Sequence, residues 1–194
     1  MDMTVLVFLL AAYLIGSISF AVLVSRWMQL PDPRTYGSHN PGATNVLRTG
    51  KRKAALLTLL GDGVKGWLAV VLTATLGARY GLGKNQMALA GLAVLLGHMW
   101  PLFFRFRGGK GVATALGVLF AFNAWLALAA GLTWGAMLAM FRVSAGAAII
   151  TALLVPVYAY FIEGPSSVYF GSCVIIAILV IHRHKSNLLH WLTK

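Results

Sequence analysis

Residues 111–141 read "GVATALGVLFAFNAWLALAAGLTWGAMLAMF", 31 residues without a charge. One crossing of a bilayer needs roughly 20 apolar residues. The run is therefore too long for one comfortable crossing and too short for two full ones. Asn123, near its middle, offers a place for the chain to turn. Further apolar runs lie at about 3–25, 54–78, 86–104, 145–162 and 166–182, and the charges between them decide. If 111–141 crossed once, the basic tail "HRHKSNLLHWLTK" at 182–194 would face the opposite side from "GSHNPGATNVLRTGKRK" at 37–53. If it forms two short helices, Arg26, Arg34, Arg48, Lys51, Arg52, Lys53, Arg105, Arg107, Lys110, Arg142, Arg183, Lys185 and Lys194 share one side. Only Arg79 and Lys84 then lie opposite, with Lys65 inside a span. Cytoplasmic loops collect Lys and Arg. The sequence thus predicts an all-α polytopic membrane protein of seven transmembrane helices, N-terminus outside and C-terminus cytoplasmic. Helices four and five are expected to be short and to pack inward, because a turn at membrane depth must be buried in protein or line a wet cavity.

Composition agrees. The chain has 194 residues, 59% of them hydrophobic, and a mean hydropathy of +0.81, too apolar for an ordinary soluble globule. One domain, 1–194, is expected. Sixteen Lys and Arg oppose four acids, giving a formal charge of +12. On a soluble protein that balance would suggest nucleic acid. Here it fits loops facing anionic headgroups and an anionic substrate, and no nucleic-acid partner is expected. Cys173 is the only cysteine, which excludes an intrachain disulfide and a cysteine-based metal site. "MDMTVLVFLL" at the start carries no Lys or Arg, unlike a signal peptide with a basic n-region. Small residues in "GLAVLLG", "GLTWGA" and "SAGAA" read as helix-packing positions.

Three stretches carry chemistry. In 37–53 no acid balances the cations. Ser38, Asn40, Thr44 and Asn45 supply hydroxyl and amide groups, Gly42 frees the backbone, and Arg48 can grip a phosphate with two parallel bonds. In "RFRGGKG" at 105–111, Gly108, Gly109 and Gly111 permit close backbone approach, a helix start presents N–H groups, and Lys110 adds a point charge. The stretch is not a Walker A loop, since Gly follows Lys110 where Ser or Thr would be required. In the tail, His184 and Asn187 add further polar groups. No carboxylate accompanies the tail histidines and H-E-x-x-H is absent, so no metal and no cofactor is expected. "GDGVKG" at 61–66 formally matches G-x-G-x-x-G but lies inside a span. What matters there is Asp62 and Lys65 on one helix face, a pair that is structural or functional.

Together "SHNPGATNVLRTG", "GHMWPLFFRFRGGKGVAT" and "RHKSN" resemble, in order and spacing, the PlsY family of bacterial glycerol-3-phosphate acyltransferases. The resemblance covers essentially the whole chain. It implies transfer of a fatty acyl group from acyl phosphate to the 1-hydroxyl of sn-glycerol 3-phosphate, giving lysophosphatidate and phosphate. It implies a multi-pass protein of the bacterial cytoplasmic (inner) membrane with its site on the cytoplasmic side, coupled to the enzyme that makes acyl phosphate. By match to the family's motifs, Ser38, Asn40, Gly42, Thr44, Asn45, Arg48, Gly108, Gly109, Lys110, Gly111, Ser144, His184 and Asn187 are expected to bind substrate. Arg48, Lys110 and His184 are expected to act in catalysis.

The residues also suggest a mechanism by omission. Other glycerolipid acyltransferases use H-x-x-x-x-D. Here the positions five after the testable histidines are Thr44, Phe103, Asn187 and Leu189, none acidic. Direct attack of the glycerol hydroxyl on the acyl carbonyl is expected, with the acceptor's own phosphate or His184 taking the proton. The competing class is a membrane transporter or channel for phosphorylated small molecules. A chain of 194 residues with no inverted repeat is small for alternating access.

Overall fold

The computed structural model describes residues 2–192. Lys194, counted above among the cytoplasmic cations, lies outside the described residues. All regular structure among the described residues is helical, as expected. The helices are α1 (Met3–Gly16), α2 (Phe20–Trp27), α3 (Ala43–Leu47), α4 (Arg52–Gly77), α5 (Lys84–Met99), α6 (Val112–Phe122), α7 (Ala124–Phe141), α8 (Ser144–Glu163), α9 (Val168–Arg183) and α10 (Lys185–Leu192).

The 31-residue run does break at Asn123. Asn123 caps α7 by accepting from Trp125 N at 2.9 Å, and its amide donates to Glu163 Oε1 at 2.6 Å. A short polar side chain that satisfies freed backbone groups is what a break in an apolar helix requires. The two pieces fold back on one another: Leu116 packs beside Gly131. In one straight helix those residues would be about 22 Å apart. α6 is short, with 11 residues. α7 is longer than expected, and its 18 residues suffice by length and hydropathy for a crossing, as do Arg52–Tyr80, Lys84–Phe104 and Ser144–Glu163.

The first apolar run also departs from the expectation of one helix. α1 and α2 meet at a 42° bend. Neither Gly nor Pro lies at the break itself, Ser17–Ser19. The interruption is held by side chains: Ser17 Oγ donates to Tyr13 O at 2.9 Å and accepts from Leu102 N at 3.2 Å. Lys65 Nζ donates to Ile18 O at 2.5 Å.

Two helix crossings bring backbone onto backbone. α1 meets α5 where Gly16 lies on the Val94 carbonyl and Gly97 on the Tyr13 carbonyl. α4 meets α6 where Gly66 lies on the Thr114 carbonyl and Gly117 on the Gly63 carbonyl. A Cβ at any of the four would strike carbonyl oxygen. The shared core beside these crossings is built from Val70, Val94, Leu95, Val118 and Leu126, all fully or nearly fully buried.

Gly97→Ala and Gly117→Ala should each force a crossing apart and cost about 1–3 kcal/mol or more. Gly135→Ala on α7, with open space around it, should change stability by less than about 1 kcal/mol, toward stabilisation through helix propensity. Thermal unfolding of the three variants in one detergent checks this; equal midpoints would refute the crossing geometry.

Candidate functional site

Three segments distant in sequence converge at one end of the bundle: the connection from α2 through α3, the turn between α5 and α6, and the junction of α9 with α10. They enclose a cavity of about 700 Å³.

The first wall is folded by its own polar side chains. Asn45 is buried and uses both ends of its amide on the loop: Nδ2 donates to Pro33 O at 2.7 Å and Tyr36 O at 3.1 Å, and Oδ1 accepts from Ser38 N at 3.0 Å. Gly37 has φ +60°, and a Cβ there would collide with Asn45 Oδ1, so glycine is required twice over. Arg34 grips Asp32 through Nε at 3.0 Å and Nη2 at 2.6 Å. That bonding holds the Asp32 carboxyl below its usual range, against a smaller opposing effect of burial. Ser38, Asn40 and Arg34 face the cavity.

The second wall is the glycine turn. Arg105 and Phe106 take left-handed backbone at φ 52° and 59°, which reverses the chain after α5. Gly109 N donates to His98 O at 3.1 Å. A Cβ at Gly108 would strike the His98 carbonyl, and one at Gly109 the His98 ring. The third wall reaches across to this turn. Arg183 donates through Nε to Gly109 O at 3.1 Å and through Nη2 to Gly108 O at 2.8 Å, and its guanidinium stacks over Trp100 at 5.2 Å. Lys110 Nζ donates to Asn187 Oδ1, joining the second and third motifs as their shared chemistry suggested.

His184 is buried. Its Nδ1 lies 2.8 Å from Val180 O. A carbonyl only accepts, so Nδ1 carries the proton. Burial pushes this imidazole below its ordinary pKa, the Val180 bond opposes that, and the charges of Lys110 and Arg183 add to it. A neutral His184 therefore keeps Nε2 as an acceptor.

Of the residues expected from sequence, Ser38, Asn40, Gly108 and Lys110 line the cavity, with Gly109 and Asn187 bonded to its wall. Gly111 ends the turn at φ 86°. Thr44 and Ser144 meet at 3.2 Å, so the start of α8 joins the first motif. Gly42 precedes α3 in extended backbone, and Arg48 is exposed beside Gly37. Sequence reasoning assigned Arg34 and Arg107 to topology alone and counted Arg183 and Lys185 only as part of a cationic tail, yet all four line the cavity. Among the described residues only Arg34 of these has a carboxylate partner. The expectation that no acid stands beside a histidine is also corrected: Asp62 Oδ1 lies 3.6 Å from His98 Nδ1. The two sit on different helices, beyond any fixed-spacing search.

An apolar helical bundle with an excess of cations around one cavity defines a membrane-embedded protein built to hold anions. The family model described as "Glycerol-3-phosphate acyltransferase" matches residues 6–194. A glycerol-3-phosphate acyltransferase of Chromobacterium violaceum is 64% identical over 100% of this chain and 94% of its own. One of Laribacter hongkongensis is 57% identical over 97% and 92%. The crystal structure of PlsY, an integral membrane glycerol 3-phosphate acyltransferase, in its glycerol 3-phosphate form, superposes with TM-score 0.88 at 34% identity, covering 97% of this chain and 92% of that one. The same protein in its lysophosphatidic acid form gives 0.87. The chain belongs to the glycerol-3-phosphate acyltransferase family, which is the family its three motifs resemble.

Burial first, and the Arg183 charge second, push the Lys110 ammonium below the ordinary lysine value of 10.5. The charged form holds an anion, so binding persists on the acid side and is lost as pH rises through the lowered pKa. Sulfate, whose charge is constant over this range, should therefore lose affinity at a pH below that of an ordinary lysine. Lys110→Arg should move the loss upward. Calorimetric titration across pH checks this, and an unmoved loss in Lys110→Arg would assign it to another group.

Proposed function

We propose that the chain transfers a fatty acyl group from acyl phosphate to the 1-hydroxyl of sn-glycerol 3-phosphate, releasing lysophosphatidate and inorganic phosphate. The observation that carries this reading is the cavity that gathers Lys110, Arg183, Arg107 and Lys185 with the donors of Ser38 and Asn40 at the end of an apolar bundle. Both reactants bear phosphate, and one bears a chain that partitions into lipid. Arg48, Lys110, Ser38 and Asn40 act as phosphate donors, with Thr44 and Ser144 at the edge. Gly42, Gly108, Gly109 and Gly111 shape the backbone around the anions, and Asn187 orients Lys110. Asn45 acts by holding the loop, since its amide is already used on backbone.

In the reaction the acceptor O1 attacks the acyl carbonyl carbon. The bond from that carbon to the phosphate oxygen breaks, and phosphate leaves with the electron pair. The hydroxyl proton passes to the acceptor's own phosphate; His184, buried and outside the cavity lining, is the alternative base. Donors fixed before the reaction stabilise the charge that develops on the carbonyl and leaving oxygens, and holding both reactants together removes much of the entropic cost. The single domain spans residues 1–194. It crosses the bacterial cytoplasmic (inner) membrane seven times, with the N-terminus outside, the C-terminus inside and the cavity toward the cytoplasm, where acyl phosphate is supplied by its producing enzyme.

Purified protein in detergent, given acyl phosphate and glycerol 3-phosphate, should release phosphate. A transporter would show no turnover without a second compartment. Lys110→Ala and Arg48→Ala should each cost about 2–4 kcal/mol, a rate loss of roughly 30- to 1,000-fold, whereas Lys51→Ala should be nearly silent. His184→Ala should keep measurable turnover and the wild-type pH limb near the second phosphate ionisation, pKa about 6. Equal loss at Lys51 and Arg48 would reassign the cations, and disappearance of the limb would make His184 the base.

Orientation is tested separately. In a Cys173→Ser background, Asn40→Cys, Arg107→Cys and Ser186→Cys should be labelled by an impermeant maleimide only from the cytoplasmic side, and Gly83→Cys only from outside. Labelling of Ser186→Cys from outside would overturn the seven-span topology.

A further inference from the structure

Three ionisable side chains are buried behind the cavity and do not line it: Asp62 and Lys65 at 3% exposure each and His98 at 8%. Charge at membrane depth is costly and persists where it is paired and used. The acyl-transfer chemistry above uses none of the three.

Their connections run in one direction. Lys65 Nζ stands 2.9 Å from Asp62 Oδ1 and donates to Ile18 O at the α1–α2 break. The same Asp62 oxygen lies 3.6 Å from His98 Nδ1. The far side of the His98 ring, at Nε2, is pressed against Gly109, where Pro41 O also closes in, and the His98 carbonyl accepts from Gly109 N. From α1 through α4 and α5, the contacts end under the residue preceding Lys110.

We propose that Asp62, Lys65 and His98 form an intramembrane strut that sets the position of the Gly108–Lys110 turn and so of the Lys110 ammonium. The carboxylate and ammonium neutralise one another, and the His98 ring acts as a wedge with its Nδ1 edge turned toward Asp62 at 3.6 Å. Arg183 also holds the turn, through the Gly108 and Gly109 carbonyls, so the glycines are bonded by the guanidinium and packed against the ring. Gly109 is glycine because no Cβ fits over the ring. His98 is a positioning residue. This rests on the reading that Lys110 holds the substrate's anion.

A double-mutant cycle between His98→Ala and Lys110→Ala tests it, read both as turnover with glycerol 3-phosphate and as sulfate affinity. His98→Ala alone should lower kcat/KM and sulfate affinity by about 10-fold or more. In the Lys110→Ala background the same change should cost less than about 3-fold, because its effect passes through Lys110. A merely structural histidine would impose its full factor in both backgrounds, and that result overturns the proposal, as does wild-type behaviour of His98→Ala. If His98→Ala does not fold, His98→Phe, which keeps a ring under Gly109 but removes the Nδ1 edge, is held to the same criterion. Sulfate affinity decides the strut even if acyl transfer is not detected, and absence of turnover in the wild type counts only against the acyltransferase reading.

Discussion

A backbone group released by a helix break inside a bilayer finds no water, and an unsatisfied one costs several kcal/mol. That constraint accounts for the polar side chains that stand at the breaks between helices in this protein. At Ser17–Ser19 the Ile18 carbonyl takes Lys65, and the Ser17 hydroxyl takes Leu102 N. At Asn123 the break is capped by the same side chain that ties α6 and α7 to Glu163. At the glycine turn two successive carbonyls take Arg183. Each break permits a change of direction that a continuous helix could not make. Two of the three bring chain toward the cavity, so the site and the irregularities of the fold have one origin.

The cations divide by the same logic. Arg183 directs its fork at carbonyl oxygens and its face at Trp100, and Arg34 is engaged by Asp32. Lys110 is held by a neutral amide oxygen of Asn187, which orients an ammonium without neutralising it. A cation so presented retains its full charge for an incoming anion, whereas a carboxylate partner would have to be displaced first. The scarcity of acids read from the sequence is thus specific in effect: the carboxylates nearest the site, Asp32 and Asp62, are both already committed to cations.

The sequence was legible where a residue type contradicts its surroundings. Asn123 stands out in an apolar run of 31 residues, and charge asymmetry required a turn there. The glycine turn and the donors of the first motif were legible for the same reason. The α1–α2 bend was not read, because the Gly16–Ser17 pair is a weak signal in an apolar run and the residues that stabilise the bend, Lys65 and Leu102, lie far along the chain. α7 was expected to be short because 31 residues are too few for two full crossings, whereas a turn at Asn123 leaves it 18 residues. Arg34 and Arg107 had a sufficient explanation in topology, which concealed a second use. The Asp62–His98 contact depends on the register of α4 against α5, a packing relation between two helices that pattern reading cannot place.

On the proposed reaction, the location of that contact bears on where the proton goes. An acid beside a histidine is the usual arrangement for a general base. Here the histidine ring points its free edge at Gly109 rather than into the cavity, and the acid is shared with Lys65. The other candidate, His184, has its Nδ1 fixed on Val180 O and no carboxylate among the described residues to stabilise a developing imidazolium. Two cations nearby, Lys110 and Arg183, disfavour its protonation further. A base that becomes harder to protonate as the site becomes better at binding phosphate is poorly matched to its task. The acceptor's phosphate has the opposite property, since it brings its own negative charge into a cationic cavity and can take the proton beside the hydroxyl it activates. An acyl phosphate, already an activated mixed anhydride, asks little of that base. The same cations that hold the two phosphates therefore direct the proton toward substrate and away from the protein.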